Sequence, residues 1–563
     1  MATQFGRKLA CELIFSHFGE SVQKVCKSLV YHGQLSLPEI AHYTKMSTTQ
    51  IHNSLLVLVQ HSCVQAFKVE HDGIGSAPPR VLMLYIALTD NILHCMRFPK
   101  FLVLVKEDVG DQVSAEALVE GILEHGRLTL EQLIQRAAAR AGKAEGEVAT
   151  VVKDCFHRLL ANHYIERCPV PEPSLCPNIA VEPAKKTACG AEVSDLAPGS
   201  ISEEQRIMSA AAPTDAERFQ APVSLISMGG THTEMGDSNH PVGQKRKREA
   251  LQIDAKTAAA AAAMDEKEVL WHVNYEEFVR RLRHQACVAF VRSRIDAMAG
   301  TVLEGMLDAT CRHKTSVKQH SSVPMSIEVI MDSVRNLQLG QGMTVERLQV
   351  GLQQLVSDSA GYVSRIGEQG GLAEGSQYVV HLHKIIELLR QNEVEGIVLQ
   401  RYGQECCRIF RLLGLNGQLE QKQIGERAMV PKDVRELLYR LLKDHYVQVQ
   451  EVAKTTERVA SKSIHLWCVD NQAVLHQVLD DIYHAASNLS QRLAHELEKE
   501  QQLLGSLQQI DTTKAAVDTE IHVPNANLTN SQQEQVKRIQ SIMTVLEASL
   551  LKLDNAMLLF HDF

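Results

Sequence analysis

Aromatic side chains are scarce, at 5% of the chain, which disfavours a β-sandwich or a base-stacking surface as the main architecture. Basic residues are in deficit as well. Lysine and arginine total 58 against 67 aspartates and glutamates, for a formal net charge of −9. A protein that grips duplex DNA unaided carries a basic surplus to release phosphate counterions, so any nucleic-acid contact here should be local or made inside a larger assembly. No CxxC occurs among the 13 scattered cysteines, and the closest pair, Cys406 and Cys407, is adjacent. Neighbours in sequence do not readily share a metal or close an unstrained bridge. The pattern fits a reducing compartment with idle or buried thiols. No apolar run approaches the ~20 residues that span a bilayer. The first segment, with Leu9, Leu13, Ile14 and Phe18 among polar residues, lacks a signal-peptide core. An intracellular protein without a membrane partner is expected.

Catalytic constellations are missing too. There is no GxxxxGK[ST] phosphate loop, no nucleophile elbow and no HExxH. The clustered carboxylates that hold polymerase or nuclease metals do not stand out. Asp480 and Asp481 read as charge at a helix N-terminus. His381 and His383 flank Leu382 on a predicted strand with no third ligand in sight, and they read as solvent-facing histidines. The expectation is a non-enzyme with no catalytic residue, no metal and no cofactor.

What is present is repetition. At 563 residues the chain exceeds one hydrophobic core, and three to five domains are expected. His32-Gly33-Gln34-Leu35-Ser36-Leu37 recurs as His125-Gly126-Arg127-Leu128-Thr129-Leu130, and in degraded form as Asn416-Gly417-Gln418-Leu419. A short helical stretch follows each, then a turn, then a longer amphipathic one over 48–61, 147–163 and 431–445. Apolar residues there recur at 3- and 4-residue steps, as in Ile51, Leu55, Leu58 and Val434, Leu437, Leu438, Leu441. β-rich sequence comes next: 64–69 and 81–88 about a Gly/Pro loop, and 446–452 and 464–469 about a polar one. Helix, turn, helix and hairpin is the winged-helix order. A weaker copy has helices over 326–335 and 344–357 and strands over 362–366 and 378–382. The first long helix, 48–61, has no lysine or arginine, so module one is expected to pack on protein.

Between 169 and 263 the periodicity vanishes among nine prolines and the six-alanine run Ala258–Ala263. The expectation is a disordered insert over 171–263, an overgrown wing loop of module two with 271–274 as its returning strand. Inside it, Lys245, Arg246, Lys247 and Arg248 match a nuclear import signal. Near the end, Val536, Ile539, Met543, Leu546, Leu550, Leu553, Met557 and Phe560 alternate 3- and 4-residue steps, a heptad seam expected to bind a partner helix. An antiparallel intrachain hairpin is the simplest closure, with a homodimeric coiled coil as the competitor. The fold class is therefore mainly α with small β-hairpins: four winged-helix modules in tandem plus a C-terminal helical hairpin or coiled coil. Expected bounds are 1–90, 91–274, 275–383, 384–480 and 481–563.

If any module touches nucleic acid, the fourth is favoured. Lys432 and Arg435 lie three apart near the start of its long helix, where phosphate is welcome, and Lys454, Arg458 and Lys462 sit in the adjacent wing loop. Asp433, Glu436, Glu451 and Glu457 weaken that patch.

Phrases along nearly the whole chain carry a resemblance. They include His17-Phe18-Gly19-Glu20, Leu58-Val59-Gln60-His61, Arg97-Phe98-Pro99, Arg167-Cys168-Pro169, Arg401-Tyr402-Gly403, Cys407-Arg408-Ile409-Phe410-Arg411-Leu412, Glu420-Gln421-Lys422-Gln423 and Ala428-Met429-Val430-Pro431. In this order, with four winged helices, an insert in the second wing and a terminal coiled coil, they resemble the family that forms the largest member of the peripheral heterotrimer of RNA polymerase III. The resemblance implies a nuclear, non-catalytic subunit on the clamp side of the polymerase. It would hold two smaller heterotrimer partners, meet initiation factors, and help recruit and open promoter DNA, including single strands, at tRNA, 5S and other short RNA genes. It also implies a link to sensing of cytosolic AT-rich DNA. The chain departs from the family in its Ala-rich linker and in the lost glycine motif of module three. The rival reading is a scaffold of the proteasome-lid or translation-initiation type, which carries one winged helix rather than several.

Overall fold

The recurring glycine phrase is a chain-reversal device, and the computed structural model shows how it works. Residues 3–71, 80–109, 113–142, 144–175, 203–222, 269–311, 319–366, 377–428, 434–453, 463–499 and 530–563 are described. They divide into two units, Arg7–Phe278 and Val279–Phe563 with Thr3–Gly6.

In the first unit, α1 (Gln4–Phe18) precedes α2 (Glu20–His32), which stops at Gly33 with φ 82. The chain turns into β1 (Leu35–Ser36), and Ser36 opens α3 (Leu37–Thr44) in a capping box. The Ser36 amide donates to Glu39 Oε2 at 2.7 Å, which satisfies a donor that the helix start would otherwise leave bare. Helix α4 (Thr48–Gln60), capped by Ser47 and Gln50, is the long helix. Strands β2 (Val64–His71) and β3 (Arg80–Ala87) form the wing, and β1 pairs antiparallel with β3 through Leu35↔Tyr85. Helices α5 (Thr89–His94) and α6 (Phe98–Val109) lead to the second module. There α7 (Val113–His125) ends at Gly126, Leu128 bridges Trp271, and Thr129 caps α8 (Leu130–Ala141) with Gln132. Helix α9 (Glu145–Ala161) and β4 (Ile165–Arg167) follow.

After β4 come β5 (Ser174–Leu175), α10 (Glu203–Ala211) and α11 (Asp215–Arg218), before β6 (Trp271–Val273) pairs antiparallel with β4. Over 171–175 and 203–222 these elements correct the expectation of a disordered insert spanning 171–263. Strand β5 adds in parallel to the β2 edge, and Ile207 of α10 is fully buried against Phe67 and Ile86. The cause lies in β3, whose run from Val81 to Ile86 is apolar on both faces. One face of the wing packs on its module, so the face carrying Phe67, Val69, Leu84 and Ile86 needs a cover of its own. Residues 176–202 and 223–263, Lys245–Arg248 among them, lie outside the described residues.

The second unit repeats the plan. Helix α12 (Tyr275–Arg294) runs into it, followed by α13 (Ala297–Cys311), β7 (Met325–Ser326), α14 (Ile327–Asn336), α15 (Val345–Ser357), β8 (Val363–Ile366) and β9 (Gln377–Val380), in sheet order β7-β9-β8. The fourth module is α16 (Leu382–Tyr402), α17 (Gln404–Asn416), β10 (Leu419–Glu420), α18 (Gln421–Ala428), α19 (Val434–Lys443), β11 (Gln448–Ala453) and β12 (Ser463–Cys468), in order β10-β12-β11. Helices α20 (Asn471–Lys499) and α21 (Asn530–Met557), with a π-helical end Leu558–Asp562, close the chain.

A second repeat, which the sequence pattern does not announce, follows each long helix. Ser62, His163, Gly361 and His445 hold positive φ of 55, 61, 63 and 62. The next residues, Cys63, Tyr164, Tyr362 and Tyr446, are at most 1% exposed. The left-handed step turns the backbone sharply enough to drop that side chain beneath the helix it has just left.

Gly126 carries two constraints. Its φ is 81, and a Cβ there would run into the Gln60 carbonyl, while the Gln60 side-chain amide donates to the His125 and Arg127 carbonyls at 3.0 and 2.6 Å. Gly126→Ala should cost about 1–2 kcal/mol for the left-handed backbone alone, plus the clash. A thermal melt should show a lower midpoint. Gly146→Ala, in the open first turn of α9, should leave the midpoint unchanged or slightly raised.

Candidate nucleic-acid and assembly interfaces

Helix α19 buries Val434, Leu437, Leu438 and Leu441 and turns Arg435, Glu436, Tyr439, Arg440 and Lys443 to solvent. Of the five cations expected to meet nucleic acid, Arg435 is the one described; Lys432, Lys454, Arg458 and Lys462 lie outside the described residues. Sequence reasoning missed Tyr439, 67% exposed, together with Arg440 and Lys443. Their signal was available, because Arg435, Tyr439 and Lys443 fall at successive i+4 steps on one face. Among the described residues none of the three α19 cations takes part in an ion pair. The other long helices differ. The outer face of α4 offers Thr49, His52, Asn53 and Leu56, and that of α15 sets Glu346 beside Arg347 among glutamines and Val350. That of α9 includes Glu145, Glu147, Val151 and Asp154. A net positive face with a free aromatic ring, the combination that meets phosphate and base, therefore belongs to α19.

Among the described residues no group of three or more His, Cys, Asp and Glu could hold a metal ion. The wing strand ends at Val380, so His381 and His383 stand at the start of α16 and not on a strand. There His381 Nε2 lies 2.9 Å from Ser364 Oγ, its Nδ1 lies 3.2 Å from Ser321 Oγ, and His383 Nδ1 lies 3.1 Å from the His320 carbonyl. Asp480 and Asp481 sit inside α20 and not at its N-terminus, since that helix begins nine residues earlier at Asn471. Asp481 accepts from Arg401 at 2.6 Å, fastening α20 to α16.

The terminal seam is used within the chain. Helix α21 packs on α20, and Arg390 of α16 donates to the Leu559 carbonyl at 2.9 Å. Ile539 and Met557 of α21 and Phe560 of the π-helical end are buried, and Val536, Met543, Leu546, Leu550 and Leu553 are half-buried. Helix α20, which buries Val474, Val478, Ile482, Tyr483 and Ala486, packs against α21, so part of the seam expected to bind a partner is used within the chain. A double Leu546→Asp, Leu550→Asp variant would place charge in that half-buried face, at a cost on the order of 2 kcal/mol. Proteolysis should then release the C-terminal segment ahead of the four modules.

Helix α11 is anchored by charge. Arg218 pairs with Glu166 of β4 and reaches Glu276 at 3.3 Å, while Phe219 stacks on His163 with centroids 4.2 Å apart. Burial pushes the Glu166 carboxyl up to about 7, with Arg218 pulling the other way. Burial, with Arg127 and Arg218 nearby, holds His272 neutral down to about 3; its Nε2 lies 3.3 Å from Glu166 Oε1. A folded-state value above the unfolded 4.5 means that the folded protein keeps a proton the unfolded chain has lost. Stability from this group therefore falls as pH rises from 4.5 to about 7, then levels off. His272 works the other way, its depressed value adding stability as pH climbs from about 3 to 6.5. Glu166→Gln should therefore remove the falling contribution and leave the rising one of His272, so that melting curves across the window tilt upward with pH relative to the unaltered chain.

Comparison with known proteins covers most of the chain. Family models described as the RNA polymerase III subunit RPC82 helix-turn-helix domain, the RNA polymerase III subunit RPC82, and the POLR3C C-terminal winged-helix domain match residues 8–69, 154–389 and 394–469. Among similar proteins is the DNA-directed RNA polymerase III subunit RPC3 of Homo sapiens, 26% identical over 574 residues, covering 100% of this chain and 98% of the relative. Its namesake in Danio rerio is 26% identical, covering 98% and 96%. The Dictyostelium discoideum counterpart is 23% identical, covering 99% and 100%.

Proposed function

Because the chain belongs to the RNA polymerase III subunit RPC82 family, we propose that it is a non-catalytic subunit of DNA-directed RNA polymerase III acting in initiation. It is the largest member of a peripheral heterotrimer, lies against the clamp of the largest polymerase subunit, and holds the two smaller members. With initiation factors it recruits and opens promoter DNA of tRNA, 5S and other short RNA genes in the nucleus, and Lys245–Arg248 serves its import. The same polymerase contact extends to sensing of cytosolic DNA. The observation that carries this reading is three models of one family falling in order along the tandem winged-helix modules, the middle one running from the second module through the third. A lid or translation-initiation scaffold with its single winged helix does not match that arrangement. Affinity capture of the tagged full chain from nuclear extract should retain polymerase III subunits; recovery of proteasome-lid subunits instead would overturn the assignment.

Within the assembly, α19 is the element proposed to meet promoter DNA, duplex or single-stranded. Arg435, Arg440 and Lys443 supply charge and Tyr439 a stacking ring, and Lys432, Lys454, Arg458 and Lys462 extend the patch in sequence. Reversing the charge of Lys432, Arg435, Lys454, Arg458 and Lys462 should lower promoter opening by incorporated polymerase. It should also flatten the salt dependence, by roughly 0.7–0.9 in slope for each phosphate no longer neutralised. Full opening with an unchanged salt slope, at normal incorporation, would make module four a scaffold.

A further inference from the structure

The wing sheet of the first module is covered by chain that belongs to the second. Leaving β4, the backbone crosses to the β2 edge, where the Lys68 amide donates to the Pro173 carbonyl at 2.9 Å and β5 pairs over two residues. Gln65, 2% exposed, donates to the Val170 and Pro171 carbonyls at 3.1 and 3.2 Å, and Lys68 pairs with Glu172 at 2.7 Å. Helix α10 then lays the fully buried Ile207 over the sheet, and the Val170 amide donates to the carbonyl of Ala211, also fully buried, at 2.8 Å. Helix α11 returns the chain to Glu166 on β4.

From this geometry we propose that residues 169–175 and 203–212 form a detachable brace, opening locally to bare the β2 edge and the apolar face of Phe67, Val69, Leu84 and Ile86. The attachment is slight in strand pairing and in apolar hold. It rests on a two-residue parallel pairing, the weaker kind of ladder. Its apolar hold on the sheet comes from Leu175 and Ile207, in a small cluster separate from the module core of Val25, Ile40, Ile51 and Leu58. Losing the brace therefore leaves the core of the first module intact. What is bared is an unpaired strand edge beside an apolar strip. The strip continues past the brace to Leu82, 43% exposed and opposite Val69.

Native-state hydrogen exchange on the full chain tests this. The Lys68 amide, held by Pro173, should exchange through an opening with little dependence on denaturant, while amides of α2 and α4 exchange only with global unfolding. Ile207→Asp should speed Lys68 exchange about tenfold or more, leave α2 and α4 protected, and bind an anionic hydrophobic dye at the bared face. Glu172→Lys keeps every apolar contact and sets like charges at Lys68; it should speed the same amide by a smaller factor. The proposal is overturned if Lys68 in the unaltered chain exchanges only with the core, if Ile207→Asp deprotects α2 and α4 together with β2, or if neither variant changes Lys68. Exchange reads this outcome whether or not the chain serves polymerase III.

Discussion

Everything in this protein depends on how a helix is made to hand over to a single buried residue of strand. In each module the helix before the reversal ends, one apolar side chain drops into the core, and the next helix begins within two residues. Leu35, Leu128, Met325 and Leu419 are that side chain, each 3 to 8% exposed. The stub would not hold by itself, since two residues make too little ladder. It holds because it pairs with the returning wing strand, which ties the first helix to the end of the module. Glycine at φ 73 to 82 makes the reversal cheap at Gly33, Gly126 and Gly417. Ser36 and Thr129 meet the helix start that follows, each boxed with the residue three further on. A closed module is thus a loop of dependences, and the same short phrase must recur wherever one is built.

That closure explains how much of the fold was legible in the sequence. The phrase is local, so its three copies showed through, and the third module was found on periodicity although its glycine is lost. The left-handed turn after the long helix is as regular as the glycine phrase, yet it was passed over. Its residues, Ser62, His163, Gly361 and His445, share a backbone angle and not a chemistry. Long-range partners were illegible for a different reason. That β3 is apolar on both faces was written in 81–86, but what covers the second face comes from beyond residue 169, across a stretch whose prolines suggested disorder. Composition averages over such a segment, whereas one buried isoleucine is enough to dock part of it.

The interfaces divide along the same line. A helix seam with 3- and 4-residue steps states that a face will be buried, and says nothing of whether the covering helix lies in the same chain. Here α20 packs against part of it and leaves Val536, Met543, Leu546, Leu550 and Leu553 half-buried. The α19 face was read from its ends, where the wing and the helix N-terminus concentrate charge. Its middle, with Tyr439 between cations one turn away on either side, was overlooked because tyrosine in an amphipathic helix is ordinarily counted toward the core. Burial is decided by which stripe the leucines claim, and Val434, Leu437, Leu438 and Leu441 leave Tyr439 outside it.

Four copies of one module need not do one job, and the long helices show how their roles can separate. The core stripe of each is constrained by the closure and stays apolar. The outer stripe is constrained by nothing inside the module, so it is free to take threonine and leucine on α4, glutamine and valine on α15, or arginine, lysine and tyrosine on α19. A chain with net charge −9 can still present a locally basic face on one module, as Arg435, Arg440 and Lys443 do on α19. Placing the contact on one outer stripe has a further consequence. On the proposed reading, an α19 contact could be tuned without touching Val434, Leu437, Leu438 or Leu441, the stripe on which the fold of the module depends.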